Sequence, residues 1–302
     1  MENKVCVIIP TCGDREKKLR RALYSVLQQS YKNFEVIVVD NRNSEVTEKL
    51  VQDFNDNRIK YIKFTEVRGP SAARNAGLRA AGCDYVAFLD DDDEWLPDKL
   101  ELQMEKFKKF SGNGLGIVYT GYASVDENNG RLRHLSLPSR KGKVFSDLLK
   151  SCFAITSSLI VKRSVFEEVG LYDESLKFWE DGEFLLRAAT KFDFDYVNKV
   201  LVKHHIHGTQ LSYDVVSQIE GIKRVLDKHN EEFLKYKEVL SNHLYHLGYL
   251  YVLNKNYKEA RRLFFGSFKT KKTNLRSLLH MILSFLTPGF HESLLEKRRY
   301  IG

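Results

Sequence analysis

Short, almost continuous apolar runs alternate with segments of helical spacing in the first 90 residues. The runs are Val5–Pro10, Phe34–Val39 and Tyr85–Leu89, and Ile59–Phe64 alternates apolar with polar positions. Between these runs, apolar residues recur three and four positions apart, which predicts helices. Apolar strands separated by helices are typical of a parallel sheet that is covered on both faces. The pattern therefore predicts an α/β fold with a mostly parallel sheet and helices on both faces.

From residue 116 onward the pattern is mixed. A helix is predicted over Glu180–Thr190. Three more strands are predicted, over Ile117–Val125, Ile155–Val161 and Val197–His205. Strand signals end near residue 215, and the remaining apolar positions have helical spacing. We therefore predict an α/β domain over 1–213 and a helical, basic C-terminal region over 214–302.

Polar residues follow the predicted strands at the points where ligands are expected. In open α/β sheets, ligands bind outside the carboxyl ends of the strands. Those positions hold Thr11, Asp40 and the run Asp90–Asp93. Four adjacent carboxylates repel one another, and a divalent cation with oxygen ligands would neutralise them. The alternative for such a run is a solvated acidic loop.

The composition allows a globular protein with a substantial core, because 43% of the 302 residues are hydrophobic. The four cysteines have no CxxC spacing, so we expect free thiols in a reducing compartment and neither a zinc site nor a disulfide. The N-terminal sequence lacks the features of a signal peptide, and no run of about 18 apolar residues predicts a membrane-spanning helix. A cytoplasmic location is expected.

The net charge of +8 is concentrated at the C-terminus. From Lys255 to Gly302 there are eleven Lys and Arg residues but only three acidic ones. Within this region, Leu275–Leu286 predicts a helix with an apolar face that is too short to span a bilayer. Either the helix lies on a membrane interface or it packs on a core. The basic excess indicates an anionic partner, a membrane surface or nucleic acid.

Six motifs, in order, resemble those of family 2 glycosyltransferases. They are VIIPT (Val7–Thr11), FEVIVVDN (Phe34–Asn41), GPSAARNAGL (Gly69–Leu78), AFLDDDDEWLPDKL (Ala87–Leu100), WEDGEFLLR (Trp179–Arg187) and HIHGTQLS (His205–Ser212). The resemblance covers about residues 4–212. It implies the glycosyltransferase A type of fold, in which a nucleotide-binding sheet is joined to an acceptor region.

The resemblance also implies roles for individual residues. Asp181 would be the general base, with Glu180 as the alternative, and Asp92 would hold Mn²⁺ or Mg²⁺ together with His207. The nucleotide-sugar would contact Pro10, Thr11, Gly13, Asp40, Arg74, Asn75, Asp90, Asp91 and Trp179. Several of these residues also have purely structural explanations: a helix N-cap for Asp40 and Glu180-Asp181, a surface salt bridge for Arg74, and core packing for Trp179.

The implied activity is inverting transfer of a hexose from a nucleoside-diphosphate sugar, expected to be a UDP-sugar, to a hydroxyl acceptor. A cell-surface glycan or a lipid-linked saccharide is the expected acceptor, so a peripheral position on the membrane would suit the basic tail. One alternative is a sugar nucleotidyltransferase, although its lysine-bearing glycine-rich loop is absent after the first strand. The other is an inactive module that binds membrane or nucleic acid. Under the leading hypothesis, no nucleic acid is expected.

Overall fold

The computed structural model describes residues 3–13, 15–64, 68–110, 112, 114–208 and 214–286. Nine strands lie in this part of the chain: β1 Val5–Thr11, β2 Phe34–Asp40, β3 Ile59–Lys63, β4 Tyr85–Phe88, β5 Glu94–Trp95, β6 Leu115–Asp126, β7 Leu132–Ser136, β8 Ile160–Lys162 and β9 Asp193–Ile206. The helices are α1 Glu16–Leu27, α2 Glu45–Asp53, α3 Pro70–Ala80, α4 Lys99–Lys109, α5 Phe145–Lys150, α6 Arg163–Val169, α7 Glu180–Ala189, α8 Val215–Lys228, α9 Asn230–Lys235, α10 Lys237–Leu253, α11 Tyr257–Thr270 and α12 Leu275–Leu286.

The first four strands form a parallel sheet in the order β3-β2-β1-β4. Every residue of β1 and β2 is buried, because helices cover both faces of this half of the sheet. The register pairs Thr11 with Asp40, so the carboxyl ends of β1 and β2 lie side by side. The predicted α/β fold, with helices on both faces of the sheet and a helical C-terminal region, is confirmed.

Beyond β4 the sheet becomes mixed. Strand β8 runs antiparallel to both β4 and β6, whereas β6 and β9 are parallel. The prediction of a strand over Ile155–Val161 is wrong in its first half, because Thr156–Ser158 forms a short 3₁₀ helix. The reason is local, since the Ser158 hydroxyl donates a hydrogen bond to the Ile155 carbonyl and competes with strand pairing.

A glycine allows helix α3 to approach strand β1 closely. A Cβ atom on Gly77 would lie 2.5 Å from Cγ2 of Ile8, well inside van der Waals contact. The helix therefore packs directly on the strand, and its N-terminal residues, including Arg74, are buried. This packing places Arg74 near the carboxyl end of β4.

The chain divides into two compact units. One comprises Met1–Ser175 with Glu180–Gly208, and the other Leu176–Trp179 with Thr209–Gly302. In the second unit the described residues from 214 on form helices α8 to α12. None of the helices that the structure describes has the length and apolar character needed to cross a bilayer. The basic residues Lys297, Arg298 and Arg299 lie outside the described residues.

The expectation of four free thiols is wrong for one pair. Cys6 on β1 and Cys83, which precedes β4, form a disulfide, whereas Cys12 and Cys152 are free. The two cysteines are 77 positions apart, and sequence spacing did not reveal that the parallel pairing of β1 with β4 brings them together.

We expect Cys83→Ala to lower the free energy of unfolding in oxidising buffer. A native disulfide typically contributes about 2–4 kcal/mol by restricting the unfolded chain. Urea unfolding monitored by circular dichroism measures the change. In dithiothreitol the difference from the parent chain should shrink, because the parent loses the crosslink as well. Cys12→Ala is the matched control and should have little effect in either buffer.

Candidate active site

The carboxyl ends of β1, β2 and β4 meet where the strand order reverses between β1 and β4. Such a reversal opens a crevice in which α/β sheets bind ligands. The Asn41 backbone N–H donates to the Thr11 carbonyl at 2.8 Å, which joins the loops after β1 and β2. The Thr11 hydroxyl donates to Asp91 at 2.7 Å, which joins the β1 end to the acidic run after β4.

The four carboxylates of the acidic run face different partners. Each is bound by side chains from other parts of the chain, and Asp91 and Asp93 are almost fully buried. The partners are Arg74 for Asp90, Thr11 and Arg15 for Asp91, His207 for Asp92, and Ser157 for Asp93. The run is therefore a folded part of the site, and the alternative of a solvated acidic loop does not describe it.

Asp92 and His207 form a close pair. Nε2 of His207 lies 2.8 Å from a carboxylate oxygen of Asp92, although 115 positions separate them in the sequence. Burial disfavours the charged form of Asp92, yet the hydrogen bond from His207 and the charge of Arg15 prevail and lower its pKa. The carboxylate of Asp92 is therefore ionised at neutral pH.

This pair fits a divalent cation. Two ligand atoms at a right angle, with bonds of about 2.1 Å, are about 3 Å apart, close to the observed separation. Within the described residues, the one trio of His, Cys, Asp or Glu with ligand atoms within 4.8 Å is Cys6, Glu35 and Cys83, two of which are disulfide-bonded. Asp92 and His207 would therefore leave most positions on a cation to water and phosphate oxygens.

Asp91 and Asp93, on either side of Asp92, hold protons more readily than Asp92 does. Burial raises the pKa of Asp91, and the charge of Arg15 only partly offsets this effect. Burial, together with the charges of Asp90 and Asp92, raises the pKa of Asp93 well above its ordinary value. Both carboxylates accept hydrogen bonds from side chains of the protein, and the predicted contact of Asp91 with the nucleotide-sugar stays a prediction.

Arg74 joins the acidic run to the start of helix α7. Its guanidinium donates to Asp90 at 2.8 Å and to Glu180 at 2.8 Å, and its side chain is only 5% exposed. Burial opposes the charge of Arg74, but the two carboxylates outweigh it and raise the pKa of the guanidinium. This buried ion-pair network brings the two predicted acidic groups into one site.

Asp181 has different surroundings from Glu180. Its carboxylate accepts a hydrogen bond from the Gly182 N–H at 2.7 Å and lies 3.4 Å from the Thr156 hydroxyl. Burial and the neighbouring charge of Glu180 raise the pKa of Asp181 to about 6, against the opposing charge of Arg74. A carboxylate with a pKa near neutrality is suited to accept a proton.

A family model described as Glycosyl transferase family 2 matches residues 6–170, which include the parallel half of the sheet, Arg74 and the whole acidic run. The chain belongs to this family. It is therefore a glycosyltransferase, and the nucleotidyltransferase and inactive-module alternatives are set aside.

Relatives and a solved structure agree with this assignment. The chain is 30% identical over 222 residues to an uncharacterized glycosyltransferase of Rickettsia prowazekii, covering 72% of this chain and 68% of the relative. It is 28% identical over 305 residues to a GalNAc(5)-diNAcBac-PP-undecaprenol beta-1,3-glucosyltransferase of Campylobacter jejuni, covering 96% of both. The fold is similar to that of S. aureus TarS 1-349 in complex with UDP-GlcNAc, with a TM-score of 0.68 and 16% identity over 99% of this chain and 92% of that one.

The structure adds two residues to the candidate site of this family 2 glycosyltransferase, and the sequence patterns did not indicate either of them. Arg15 donates to Asp91 at 2.8 Å and lies 3.4 Å from Asp92. Ser157 accepts from the Asp90 N–H and donates to Asp93. The 3₁₀ helix that carries Ser157 also carries Thr156, which contacts Asp181, so one turn touches both acidic groups. A Thr-Ser-Ser sequence inside a predicted strand was the signal available for this turn.

A buried lysine contacts the two side chains that bind the 3₁₀ helix Thr156–Ser158. Lys99 is fully buried, lies 4.0 Å from the Trp95 ring and donates to Gln103 at 2.8 Å. Burial lowers the pKa of Lys99 well below its usual value. Gln103 in turn donates to the Ser158 carbonyl, and Trp95 donates to the Ser157 carbonyl at 2.7 Å. These contacts hold the 3₁₀ helix in place.

Three further residues that were predicted to contact the nucleotide-sugar, Pro10, Gly13 and Asp40, lie at the ends of β1 and β2 or in the loop after β1. Pro10 is buried at the end of β1, and Gly13 has a φ of 64° beside Arg42 and Ser44. Asp40 is fully buried and accepts hydrogen bonds from the Arg42 and Ser44 N–H groups and from Tyr61. The N-cap of α2 is Ser44, so Asp40 shapes the loop before that helix.

Asn75 and Trp179 have structural partners as well. The Asn75 amide donates to the Tyr172 carbonyl and to Glu174, and its oxygen accepts from the Tyr172 N–H. Trp179 belongs to the second unit, where its ring lies 5.1 Å from that of His243. The predicted contacts of Asp40, Asn75 and Trp179 with the nucleotide-sugar stay predictions.

Proposed function

We propose that this enzyme transfers a hexose from a UDP-sugar to a hydroxyl of a lipid-linked saccharide, with inversion at the anomeric carbon. The proposal rests on the two ion pairs of Arg74, with Asp90 and with Glu180. They link the acidic run, which holds the candidate cation ligand Asp92, to the start of α7, which bears Asp181. An inverting transfer needs a cation for the leaving diphosphate and one base for the acceptor. The structure supplies a candidate for each.

The proposed metal is Mn²⁺ or Mg²⁺, held by Asp92 and His207. When bound, the cation would neutralise the charge that develops on the leaving diphosphate. Asp90 is the most accessible carboxylate of the run, with a side chain 34% exposed, and we assign it to the ribose or the sugar. Pro10, Thr11, Gly13 and Asp40 would border the base, and Arg74 and Asn75 would complete the donor site from α3.

We assign the general base to Asp181. Glu180 is bound to the Arg74 guanidinium at 2.8 Å, so its charge is already paired. Asp181 has no ion pair of that kind among the described residues, and its raised pKa allows it to take a proton. In the proposed step, the acceptor oxygen attacks the anomeric carbon, the bond to the diphosphate breaks, and the acceptor proton moves to the Asp181 carboxylate.

The choice of substrates is supported by the similar proteins. The Campylobacter jejuni relative is named as acting on an undecaprenol-linked saccharide, and the TarS structure contains UDP-GlcNAc. We propose that residues 1–213 carry this reaction and that the basic residues 214–302 contact the membrane that holds the acceptor. The enzyme would then be peripheral at the cytoplasmic face, without nucleic acid as a partner.

A donor screen tests the proposed function. The full chain is incubated with MnCl₂ or MgCl₂, one nucleoside-diphosphate sugar at a time, and an undecaprenol-linked saccharide. Release of the nucleoside diphosphate is measured. We expect UDP release that needs both the acceptor and the divalent metal and that stops in EDTA. Release from GDP-sugars alone, or full activity in EDTA, would contradict the proposal.

The rate should depend on pH through Asp181. A general base must be unprotonated, and the pKa of Asp181 is about 6. We therefore expect the rate at low substrate to be level above about pH 7 and to fall about tenfold per unit below pH 6. The measurement is initial UDP release between pH 4.5 and 8. A level profile down to pH 5 would remove Asp181 from the role.

A further inference from the structure

Helix α12, Leu275–Leu286, packs with its polar side inward. Ser277, His280 and Ser284 are 0%, 4% and 1% exposed, although all three are polar. The sequence left two possibilities for this helix, a membrane interface or packing on a core. The helix packs inward through these polar residues and through Met281, which lies against the apolar core formed by α10 and α11, and this packing leaves the other side of the helix exposed.

The buried polar side is satisfied by specific contacts. The Ser277 hydroxyl lies 2.7 Å from that of Ser267 on α11, and the Ser284 carbonyl accepts from Arg261 at 3.1 Å. The His280 ring lies 5.3 Å from the Tyr245 ring in an edge-on arrangement. Buried polar groups with partners fix one orientation of a helix, since turning it would leave them unsatisfied.

The opposite side of α12 is an exposed apolar stripe, which consists of Leu275, Leu279, Ile282 and Phe285. These residues are four, three and three positions apart, so they form one line along the helix. Their exposures are 65%, 54%, 43% and 63%. Aligned exposed apolar residues, unlike scattered ones, indicate an interaction surface.

Basic side chains accompany the apolar stripe. Between Lys255 and Leu286 there are eight Lys and Arg residues and one acidic residue, Glu259. Arg262, Lys269, Lys272 and Arg276 are exposed, and exposed Phe265 lies between the first two on α11. A helix with an apolar face and a basic surround is typical of segments that lie in the interface of an anionic bilayer.

We propose that the apolar stripe of α12 inserts into the headgroup region of an anionic lipid bilayer. This inference rests on the proposed function, because it names the surface through which an enzyme with a lipid-linked acceptor meets the membrane. The charge decides the occupant. A second copy of the same face would bring like charges together, whereas anionic headgroups attract the Lys and Arg side chains.

The test is flotation of the full chain with two kinds of vesicle, phosphatidylcholine alone and phosphatidylcholine with phosphatidylglycerol. We expect binding to the anionic vesicles and little to the neutral ones. The double variant Leu279→Ser/Phe285→Ser should bind at least about a hundredfold more weakly, since each side chain accounts for about a tenfold change. Leu132→Ser/Leu135→Ser is the matched control, because these β7 residues are also exposed, and it should bind like the parent.

Besides a parent chain that does not bind the anionic vesicles, two outcomes would overturn the proposal. One is equal vesicle binding by the α12 double variant and the parent. The other is self-association of the parent in light scattering that the double variant loses, which would assign the stripe to a second copy of the chain. Thermal stabilisation by UDP with Mn²⁺, measured without lipid, separates this question from the proposed function. A double variant that keeps this stabilisation by UDP but no longer binds vesicles supports the proposal. A parent chain that shows the stabilisation but does not bind vesicles refutes the membrane proposal and leaves the proposed function standing.

Discussion

Asp181→Asn is expected to bind the donor normally and to lose transfer. Asparagine keeps the shape of the side chain but cannot accept a proton, and removing a general base typically costs about 10²–10⁴-fold in rate. The Gly182 N–H can still donate to the amide oxygen, so the start of α7 should stay folded. UDP release under saturating acceptor gives the rate, and thermal stabilisation by UDP with Mn²⁺ gives binding.

Glu180→Gln is the control for this result. The substitution keeps the size of the Glu180 side chain and removes its charge. It therefore weakens the ion pair with Arg74 and leaves the Asp181 carboxylate in place. We expect a smaller loss of rate than for Asp181→Asn. It should also lower the pH at which activity falls, because the charge of Glu180 helps to raise the pKa of Asp181. A full rate in Asp181→Asn with loss in Glu180→Gln would exchange the two roles.

Asp92→Ala should remove the dependence of UDP binding on divalent metal. For the parent chain we expect UDP to raise the melting temperature only with Mn²⁺ or Mg²⁺, since a ligand stabilises the state that binds it. The variant should show no such increase, because His207 alone offers one ligand atom where the pair offered two. Differential scanning fluorimetry with and without EDTA measures this effect.

Glu94→Gln is the matched control for the metal prediction. Glu94 is close to Asp92 in the sequence, but its carboxylate pairs with Lys203 at 3.0 Å. It should therefore keep the full metal-dependent stabilisation. If Asp92→Ala also kept it, the cation would have to be held elsewhere, and the role of Asp92 and His207 would be limited to their mutual hydrogen bond.

Sequence reasoning was accurate where the signal is local. Continuous apolar runs located β1, β2 and β4, because these strands are buried on both faces, and helical spacing located α7. It was less accurate where side chains replace backbone pairing, as at the 3₁₀ helix Thr156–Ser158. It also missed the two-residue strand β5, which is too short to carry a period.

The sequence by itself determined the α/β fold, the family and the acidic groups at Asp90–Asp93 and Glu180-Asp181, because these depend on local order along the chain. The resemblance named Asp92 and His207 together, but only the tertiary structure brings their side chains to 2.8 Å, since contacts across 115 positions depend on how strands are ordered in the sheet. The tertiary structure likewise decided the Cys6–Cys83 pairing. For α12, both sides are visible in the sequence, but the buried contacts of Ser277 and Ser284 determine which one faces solvent.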